Sequence, residues 1–373
     1  MKIVTPRTEL YEGLQAASRA VSAQTSLPVL KNIKIESGSD SLKLTASDFD
    51  LGIEAVVPAT IQEEGAITAP ARTIVDIVSQ LPEADISIAV DDRDTIIISC
   101  LRSEYRINGM PADDFPPLPE VGGDVSLTIS QPRFAEMIRQ TALCAADDES
   151  RPILTGVCLQ VEGQTLRMVA TDTHRLAVRT TQLETATGDI AAIIPVRAMN
   201  EVSRLLGEEP ESMVTLRLDG NQVLFRTGRQ LLVARLIEGQ FPSYERVIPP
   251  SSSRTFTIQR EQLVAAVRRA EIVAREAAAK DRIVVQTEGD NLILTAEAGE
   301  VGRAREEIEI IREGEDISVA FNAHYLLDAA SALDCEGIRL ELSEPLSPTV
   351  VRSVDGLPEG DTYLMVVMPM QIQ

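Results

Sequence analysis

The sequence has 373 residues, a net charge of −22, 44% hydrophobic residues and only 3% aromatic residues. This length suits two or three domains with packed cores. No apolar run approaches the ~18 residues of a membrane span, and the first residues lack the apolar core of a signal peptide, so we expect a cytoplasmic protein without a membrane segment. The acidic balance argues against phosphate binding, and the absence of Trp argues against base stacking.

Apolar residues at helical spacing predict six helices along the chain. In chain order they are residues 7–21, 70–80, 131–145, 195–206, 260–276 and 322–334. The fifth has one apolar stripe, made by Leu263, Val267, Ala270 and Ala274. The segments between the helices alternate apolar and polar residues, as at Leu42 and Leu44, which is typical of antiparallel sheets with one buried face.

The chain repeats itself three times with a period near 125 residues. The residues that mark the repeat are Pro70, Pro195 and Asn322 before helices, and Ala46, Ala170 and Ala296 in matching strand–turn segments. A fixed period indicates tandem copies of one structural unit. We therefore predict an α+β fold of three similar domains, each with two helices on antiparallel sheets. The predicted domains are residues 1–122, 123–250 and 251–373.

The predicted helices differ in charge from the rest of the chain. They hold 11 basic and 10 acidic residues, a net charge of +1, so the remaining chain carries −23. Such a surface could touch a nucleic acid duplex weakly and without reading its sequence. Ordinary solvated helix faces would have the same composition, because Arg is a good helix former.

The segment VATDTHRLAV (169–178) brings together residue types that are common in catalytic and metal sites. A hydrolase or metal enzyme could use Asp172 and His174 as a pair, because alternate residues of a strand share a face. No third ligand or nucleophile is nearby, and Asp48 holds the matching position in the first copy. We therefore favour a turn in which Asp172 accepts hydrogen bonds from its own backbone. Phosphate-binding, dinucleotide and nucleophile-elbow motifs are absent, so we predict no metal and no cofactor.

The three copies, with TDTHRLAV, GQFPSYERVIP and the terminal VVMPM, resemble the bacterial DNA polymerase III β subunits, the sliding clamps. DESRPILTGV and SLPVLKN fit the same family, and the resemblance runs from end to end. It implies a head-to-tail homodimer whose six domains close a ring around double-stranded DNA, with helices lining the hole. Twelve helices at roughly 10 Å spacing would leave a hole of about 28 Å, which admits a duplex about 20 Å wide. Topological linkage needs little affinity, so the acidic composition is compatible with sliding.

The resemblance also implies a pocket between the second and third domains for short linear motifs of partner proteins. These partners are the DNA polymerase III α subunit, the clamp loader, other polymerases and mismatch-repair proteins. Met and Leu would supply adaptable walls, and Arg175 and Arg246 could bond peptide carbonyls or carboxylates at the rim. The implied pocket residues are Leu154, Thr171, Thr173, His174, Arg175, Leu176, Pro242, Arg246, Val247, Asn322, Tyr325, Leu346, Met368, Pro369 and Met370.

Two further residue sets follow from the family's architecture. The helix arginines, with Arg151 from an otherwise acidic loop, are the candidates to face DNA. They are Arg7, Arg19, Arg72, Arg133, Arg139, Arg151, Arg197, Arg204, Arg260, Arg268 and Arg275. At the dimer seam, Tyr105 and Ile107 on a first-domain edge strand would meet Ile272 and Val273 of a partner's third domain, which would also protect that edge from aggregation.

Three positions depart from the family's pattern. Related clamps often have Gly where Thr173 stands, a bulky residue where Ala278 stands, and a basic–apolar pair in place of the MQIQ tail. These departures bear on the preferred peptide. Our hypothesis is a non-catalytic clamp that makes a polymerase processive; the alternatives are a hydrolase or metal enzyme using Asp172 and His174, and a protein-interaction scaffold without DNA.

Overall fold

The computed structural model describes residues 1–22, 25–122, 125–184, 188–277, 281–299 and 301–372; Ala278 and Gln373 lie outside these ranges. The helices within them are α1 (Arg7–Ser18), α2 (Ala71–Gln80), α3 (Gln131–Ala142), α4 (Val196–Leu205), α5 (Arg260–Ala274) and α6 (Ala323–Ser331). The strands up to residue 200 are β1 (Lys2–Pro6), β2 (Asn32–Ser37), β3 (Ser41–Ser47), β4 (Leu51–Pro58), β5 (Thr60–Glu63), β6 (Ala66–Pro70), β7 (Asp85–Val90), β8 (Thr95–Cys100), β9 (Ser103–Asn108), β10 (Val125–Ser130), β11 (Gly156–Glu162), β12 (Thr165–Thr171), β13 (Arg175–Gln182) and β14 (Ile190–Pro195). The later strands are β15 (Met213–Asp219), β16 (Gln222–Thr227), β17 (Gln230–Arg235), β18 (Arg254–Gln259), β19 (Arg282–Glu288), β20 (Asn291–Ala298), β21 (Gly302–Glu309), β22 (Ile311–Glu313), β23 (Ser318–Asn322), β24 (Gly337–Leu342), β25 (Thr349–Ser353) and β26 (Thr362–Val367).

The six predicted helices are confirmed, although most of them end earlier than predicted. After α1, for example, the backbone continues with Ala20 N–H donating to Ala17 O and Val21 N–H donating to Ser18 O. These bonds span three residues, so the last turn tightens and the α-helix ends before the apolar pattern does. At the start of α6, the Asn322 side chain accepts from the backbone N–H groups of His324 and Tyr325, so Asn322 caps the helix and lies outside it.

The chain forms two compact units, the first of which comprises residues 1–135 and 197–236. It contains a five-stranded sheet in the order β5-β1-β7-β8-β9 and an eight-stranded sheet in the order β10-β15-β16-β17-β4-β3-β2-β6. The larger sheet crosses the repeat, because β17 of the second copy pairs with β4 of the first. Helix α1 packs on β4 and on α2 and buries Leu10 and Leu14 completely.

The second unit comprises residues 136–196 and 237–373. It contains a nine-stranded sheet in the order β14-β11-β12-β13-β26-β25-β24-β18-β22 and a four-stranded sheet in the order β21-β20-β19-β23. Here β13 of the second copy pairs with β26 of the third, from Arg175↔Val367 to Thr180↔Thr362. The predicted stripe of α5 is buried, with Leu263 and Val267 fully covered against α6 and the four-stranded sheet.

The antiparallel pairing and the buried sheet face that the sequence predicts are both confirmed in the described residues. Every pairing of the named strands is antiparallel. The alternating residues Leu42 and Leu44 are fully buried. Of the helices in the described ranges, none is long and apolar enough to cross a membrane.

A hydrogen-bond pattern at the start of each first helix shows the repeat at atomic detail. Arg7, Gln131 and Arg260 are the first residues of α1, α3 and α5. Their backbone N–H groups donate to Ala84 O, Ser212 O and Glu336 O respectively, at the end of each copy's helix-to-strand turn. The side chains of these three residues also form hydrogen bonds to the end of the second helix or to the turn that follows it. The first residue of each copy's first helix therefore connects that helix to the region where the second helix ends.

Candidate functional site

A pocket of about 220 Å³ opens in the second unit beside the β13–β26 pair. Strands β12, β13 and β26 supply one wall, and the segment before β18 supplies the other. Its lining consists of Leu154, Thr171, Thr173, Arg175, Leu176, Pro242, Ser243, Tyr244, Val247, Val366 and Met368. The lining is mostly apolar with a few polar groups at the edge, which suits the apolar side chains of a peptide.

The structure brings together eight of the fifteen predicted pocket residues in this cavity. They are Leu154, Thr171, Thr173, Arg175, Leu176, Pro242, Val247 and Met368. His174 and Tyr325 line an adjoining cavity of about 470 Å³ that shares Leu154, Thr173 and Arg175 with the first. The other five, Arg246, Asn322, Leu346, Pro369 and Met370, line neither cavity.

Sequence reasoning missed three lining residues, Ser243, Tyr244 and Val366. Two signals could have found them. Val366 in β26 precedes Met368 by two residues, and alternate residues of an extended segment share a face. Ser243 and Tyr244 follow Pro242 directly in the quoted motif GQFPSYERVIP.

The pocket floor is a buried apolar cluster, to which Tyr244 adds a fixed polar end. Val169, Leu176 and Val366 pack together in it with Cys158. The Tyr244 hydroxyl donates to Gln160 Oε1 at 3.1 Å, and burial raises the pKa of Tyr244. Burial also raises the pKa of Cys158 to about 11, so at neutral pH the floor carries neither a phenolate nor a thiolate.

The turn before β13 positions the polar edge of the pocket. Asp172 Oδ1 accepts from the backbone N–H groups of His174 and Arg175, each at 2.9 Å. Asp48 makes the same pair of bonds in the first copy, to Asp50 and Leu51. The predicted role of Asp172 as a turn residue is therefore confirmed.

Arg175 is held inside the protein, away from the rim position predicted for it. Its Nε donates to Asp172 Oδ2 at 2.9 Å, its Nη1 donates to Asp328 Oδ2 on α6, and its guanidinium lies 4.6 Å from the centre of the Tyr325 ring. Only 10% of the side chain is exposed. Arg175 therefore joins the turn to α6 and shapes the pocket wall, because its donors are already engaged by two carboxylates.

Asp172 and His174, the pair that an enzyme could use, both interact with neighbouring groups of the protein. Both oxygens of Asp172 are engaged by Arg175 and the backbone of the turn, so the carboxylate is not free to act as a base or ligand. His174 stacks beside Tyr325, with ring centres 6.1 Å apart. The described residues contain no group of three or more His, Cys, Asp or Glu side chains that could hold a metal ion.

The junction between the first and second copies has the same backbone pattern, but its cavity, of about 250 Å³, is lined mainly by polar groups such as Ser47, Asp50 and Gln222. Met368 N–H donates to His174 O, and at the matching place Arg235 N–H donates to Asp50 O. Gly52 stands where Leu176 stands, and a Cβ added to Gly52 would lie only 2.3 Å from Leu118 Cδ2. The linker side chain of Leu118 therefore occupies the space that remains open beside β13.

Thr173 lies in a strained conformation at the pocket edge, with φ at +79°. For a β-branched residue this left-handed region costs about 1–2 kcal/mol, whereas Gly adopts it freely. We expect Thr173→Gly to raise the free energy of unfolding by about 1 kcal/mol, seen as a higher Tm.

The matched control for this prediction is Thr171→Gly, two residues earlier. Thr171 ends β12, and its Oγ1 donates to Arg175 O at 2.7 Å. The same exchange there should lower Tm, because it removes a hydrogen bond and loosens a strand. Equal losses of Tm from both variants would contradict a strained Thr173.

Three of the predicted DNA-facing arginines are engaged with the protein itself. Arg7 donates to Val78 O and Ser79 O at the end of α2, and only 19% of its side chain is exposed. Arg139 donates to Ala332 O and pairs with Asp334 after α6, and Arg260 donates to Cys335 O. Cations at helix C-termini satisfy the last carbonyl groups, so Arg7 and Arg139 fix helix packing, and Arg260 binds the turn that follows α6.

The remaining predicted arginines divide by exposure. Arg19 and Arg133 are half-buried. Arg72, Arg197, Arg204 and Arg275 have side chains at least half exposed and each pairs with one nearby carboxylate. Arg151 and Arg268 are exposed. Only the Arg72–Asp76 pair is exposed on both sides and contributes little to stability, whereas the carboxylates that pair with Arg197, Arg204 and Arg275 are largely buried, so moving these arginines away would leave a buried charge.

The residues predicted at a dimer seam lie at accessible places in their units. Tyr105 and Ile107 are on β9, the edge strand of the five-stranded sheet, and Tyr105 is exposed. Ile272 on α5 is also exposed, and Val273 is half-buried beside it. In the second unit, β21 is an edge of the four-stranded sheet.

Comparison with known proteins covers the whole chain. Family models described as the N-terminal, central and C-terminal domains of the DNA polymerase III beta subunit match residues 1–119, 128–243 and 245–371. A beta sliding clamp of Synechocystis is 36% identical over 100% of both chains. A DNA polymerase sliding clamp from Bacillus subtilis is similar in structure, with a TM-score of 0.93, 30% identity and 100% of both chains covered. So is a sliding clamp from Pseudomonas aeruginosa bound to griselimycin, with the same TM-score, identity and coverage.

Proposed function

This chain belongs to the DNA polymerase III beta subunit family, the sliding clamps, and we propose that it acts as a non-catalytic processivity factor in the cytoplasm. Two copies close head to tail into a ring around double-stranded DNA, and the pocket beside β13 tethers partner proteins. The three proposed domains of each copy are residues 1–122, 123–250 and 251–373. The pocket is the observation that carries the proposal, because it is apolar, open and formed by side chains that are already held in place.

The proposed ligand of the pocket is a short apolar peptide segment. Leu176, Val366 and Met368 offer apolar contacts of adjustable shape, and the fixed turn at Asp172 keeps the edge rigid. A partner would present this segment from a flexible tail or loop. The proposed partners are the DNA polymerase III α subunit, the clamp loader, other polymerases and mismatch-repair proteins, and we place griselimycin in the same pocket.

The proposed contact with DNA is weak and independent of sequence. The exposed helix arginines and Arg151 can approach phosphates, while Arg7, Arg139 and Arg260 are engaged with the protein itself. A chain with a net charge of −22 repels DNA elsewhere, so the duplex is retained by enclosure and can slide. The set proposed to face DNA is therefore Arg72, Arg151, Arg197, Arg204, Arg268 and Arg275.

The proposed ring is held by sheet edges and apolar side chains. The β9 edge of one protomer would add to the β21 edge of its partner, with Tyr105 and Ile107 near Ile272 and Val273 of the partner subunit. Pairing satisfies the unpaired backbone groups of both edges. Two identical contacts of this kind close a ring of two chains.

The decisive experiment loads the purified protein onto nicked circular DNA with a clamp loader and then linearises half of the sample. We expect the protein to stay on the circle and to leave the linear form at moderate salt. Equal retention on both forms would show ordinary binding and contradict enclosure. Failure to associate with either form would favour an interaction scaffold without DNA.

A further inference from the structure

A buried ion pair lies under the pocket, on the other face of the β13–β26 ladder. Arg179 Nη2 and Asp361 Oδ2 are 2.6 Å apart, and neither side chain is exposed. Thr181 Oγ1 donates to Asp361 Oδ1 at 2.6 Å, and Arg179 Nη1 donates to Thr362 O at 3.3 Å. Together these bonds join β13 to the start of β26, although the two segments lie about 180 residues apart.

The pair and the pocket are on opposite faces of the same two strands. Leu176 and Val178 belong to the cluster that forms the pocket floor. Since successive side chains of a strand point to opposite faces, Arg179 and Thr181 point away from the pocket. There Glu136 on α3 is a second carboxylate near Arg179, with its Oε2 3.9 Å from Nη2.

The apolar pattern of β26 does not determine its register against β13. Residues 363–368 read YLMVVM, so over this stretch the side chains are apolar except for the Tyr363 hydroxyl, which donates to Gln140 O at 3.2 Å. A shift of one residue would exchange the two faces and still bury apolar side chains on both. The observed register sets Leu176 opposite Val366, and both line the pocket.

A charge pair distinguishes the registers where apolar residues do not. A shift of β26 would separate Asp361 from Arg179 and leave the buried Arg179 with only the more distant Glu136 carboxylate, at 3.9 Å, which is unfavourable. A buried pair adds little net stability compared with apolar residues of similar size, and in some proteins its role is to specify an alignment.

We propose that Arg179 and Asp361 are positioning residues for the docking pocket. They fix the register of β13 against β26, and this register places Leu176, Val366 and Met368 in the pocket wall. The functional part of this inference rests on the proposed role of the pocket in binding peptides.

The test is the double variant Arg179→Met/Asp361→Leu, which removes both charges and keeps an apolar volume. The control is Arg352→Met/Glu341→Leu, an ion pair with Nε–Oε2 3.1 Å apart that joins neighbouring strands β25 and β24 away from the pocket. Three quantities are measured for each full-length protein: Tm, amide hydrogen exchange in residues 175–182 and 362–367, and the Kd of griselimycin by calorimetry.

We expect the double variant to fold with a Tm close to that of the control. Its amides in the two segments should exchange at least tenfold faster than in the unmodified protein, and griselimycin should bind at least tenfold more weakly. The single variants should lose more Tm than the double, because each leaves one buried charge unpaired.

Exchange and affinity equal to those of the unmodified protein would overturn the inference. If griselimycin does not bind the unmodified protein, its assignment to the pocket fails, and the exchange measurement still decides whether the pair fixes the strands. A double variant with fast exchange but unchanged affinity would limit the pair to folding and also overturn its role at the pocket.

Discussion

Ile272→Asp is expected to convert a dimer of about twice the 40.5 kDa chain mass into a monomer. Ile272 is 68% exposed on α5, so the charge should not disturb the isolated chain. In the proposed ring the same side chain is covered by the partner, and burying an unpaired carboxylate costs about 3 kcal/mol, or roughly 100-fold in affinity. A closed ring has two such interfaces, so the substitution destabilises the dimer at both.

Light scattering at micromolar concentration measures the outcome, and Ile311→Asp is the control. Ile311 is a comparably exposed isoleucine, at 75%, on β22 of the same unit and outside the proposed seam. The control should remain dimeric and be retained on circular DNA, whereas Ile272→Asp should be lost from it. If both variants remain dimeric, the dimer interface lies elsewhere on the surface.

The parts of the fold that are periodic or local could be predicted from the sequence. The 125-residue repeat, the helices and the alternating strands recur three times, so each copy supports the interpretation of the others. The turn at Asp172 was also predictable, because its hydrogen bonds reach only two or three residues along the chain.

The side-chain contacts that could not be predicted from the sequence join residues that are far apart along the chain. Arg7 reaches Ser79 O, 72 residues away, and Arg175 reaches Asp328, 153 residues away. By residue type alone, each is an arginine on a helix or strand that could bind a ligand. In the fold, Arg7 donates to a backbone carbonyl and Arg175 to a carboxylate. The helix surface proposed to meet DNA is accordingly smaller than a count of its arginines suggests.

Sequence alone also could not predict which of the two similar junctions between copies holds the apolar pocket. The sequence shows that Ala46 and Ala170 mark matching strand–turn segments, so both junctions are expected to share a backbone pattern. Only packing shows that Leu118 covers Gly52 in the first junction, while the space beside Leu176 remains open. Side-chain volume at one strand position therefore contributes to the difference between the polar cavity of the first junction and the apolar pocket beside β13.

Val247→Glu is expected to abolish peptide docking and leave the dimer and its retention on DNA intact. Val247 forms a wall of the pocket and is 42% exposed, so the carboxylate remains solvated in the free protein and Tm should hardly change. A bound apolar ligand would strip water from that carboxylate without offering a hydrogen bond. We estimate a cost of about 3 kcal/mol, which corresponds to roughly 100-fold weaker binding of griselimycin or of a partner peptide.

Val354→Glu provides the matched control, because Val354 is 45% exposed in the same unit and lines neither cavity of the site. Calorimetry should give this variant the Kd of the unmodified protein, and a polymerase assay on circular template should give it the same product length. Val247→Glu should encircle DNA yet fail to lengthen the products, which separates tethering from enclosure. If both variants bind griselimycin equally well, the ligand lies outside the pocket beside β13, and the walls assigned to it here are wrong.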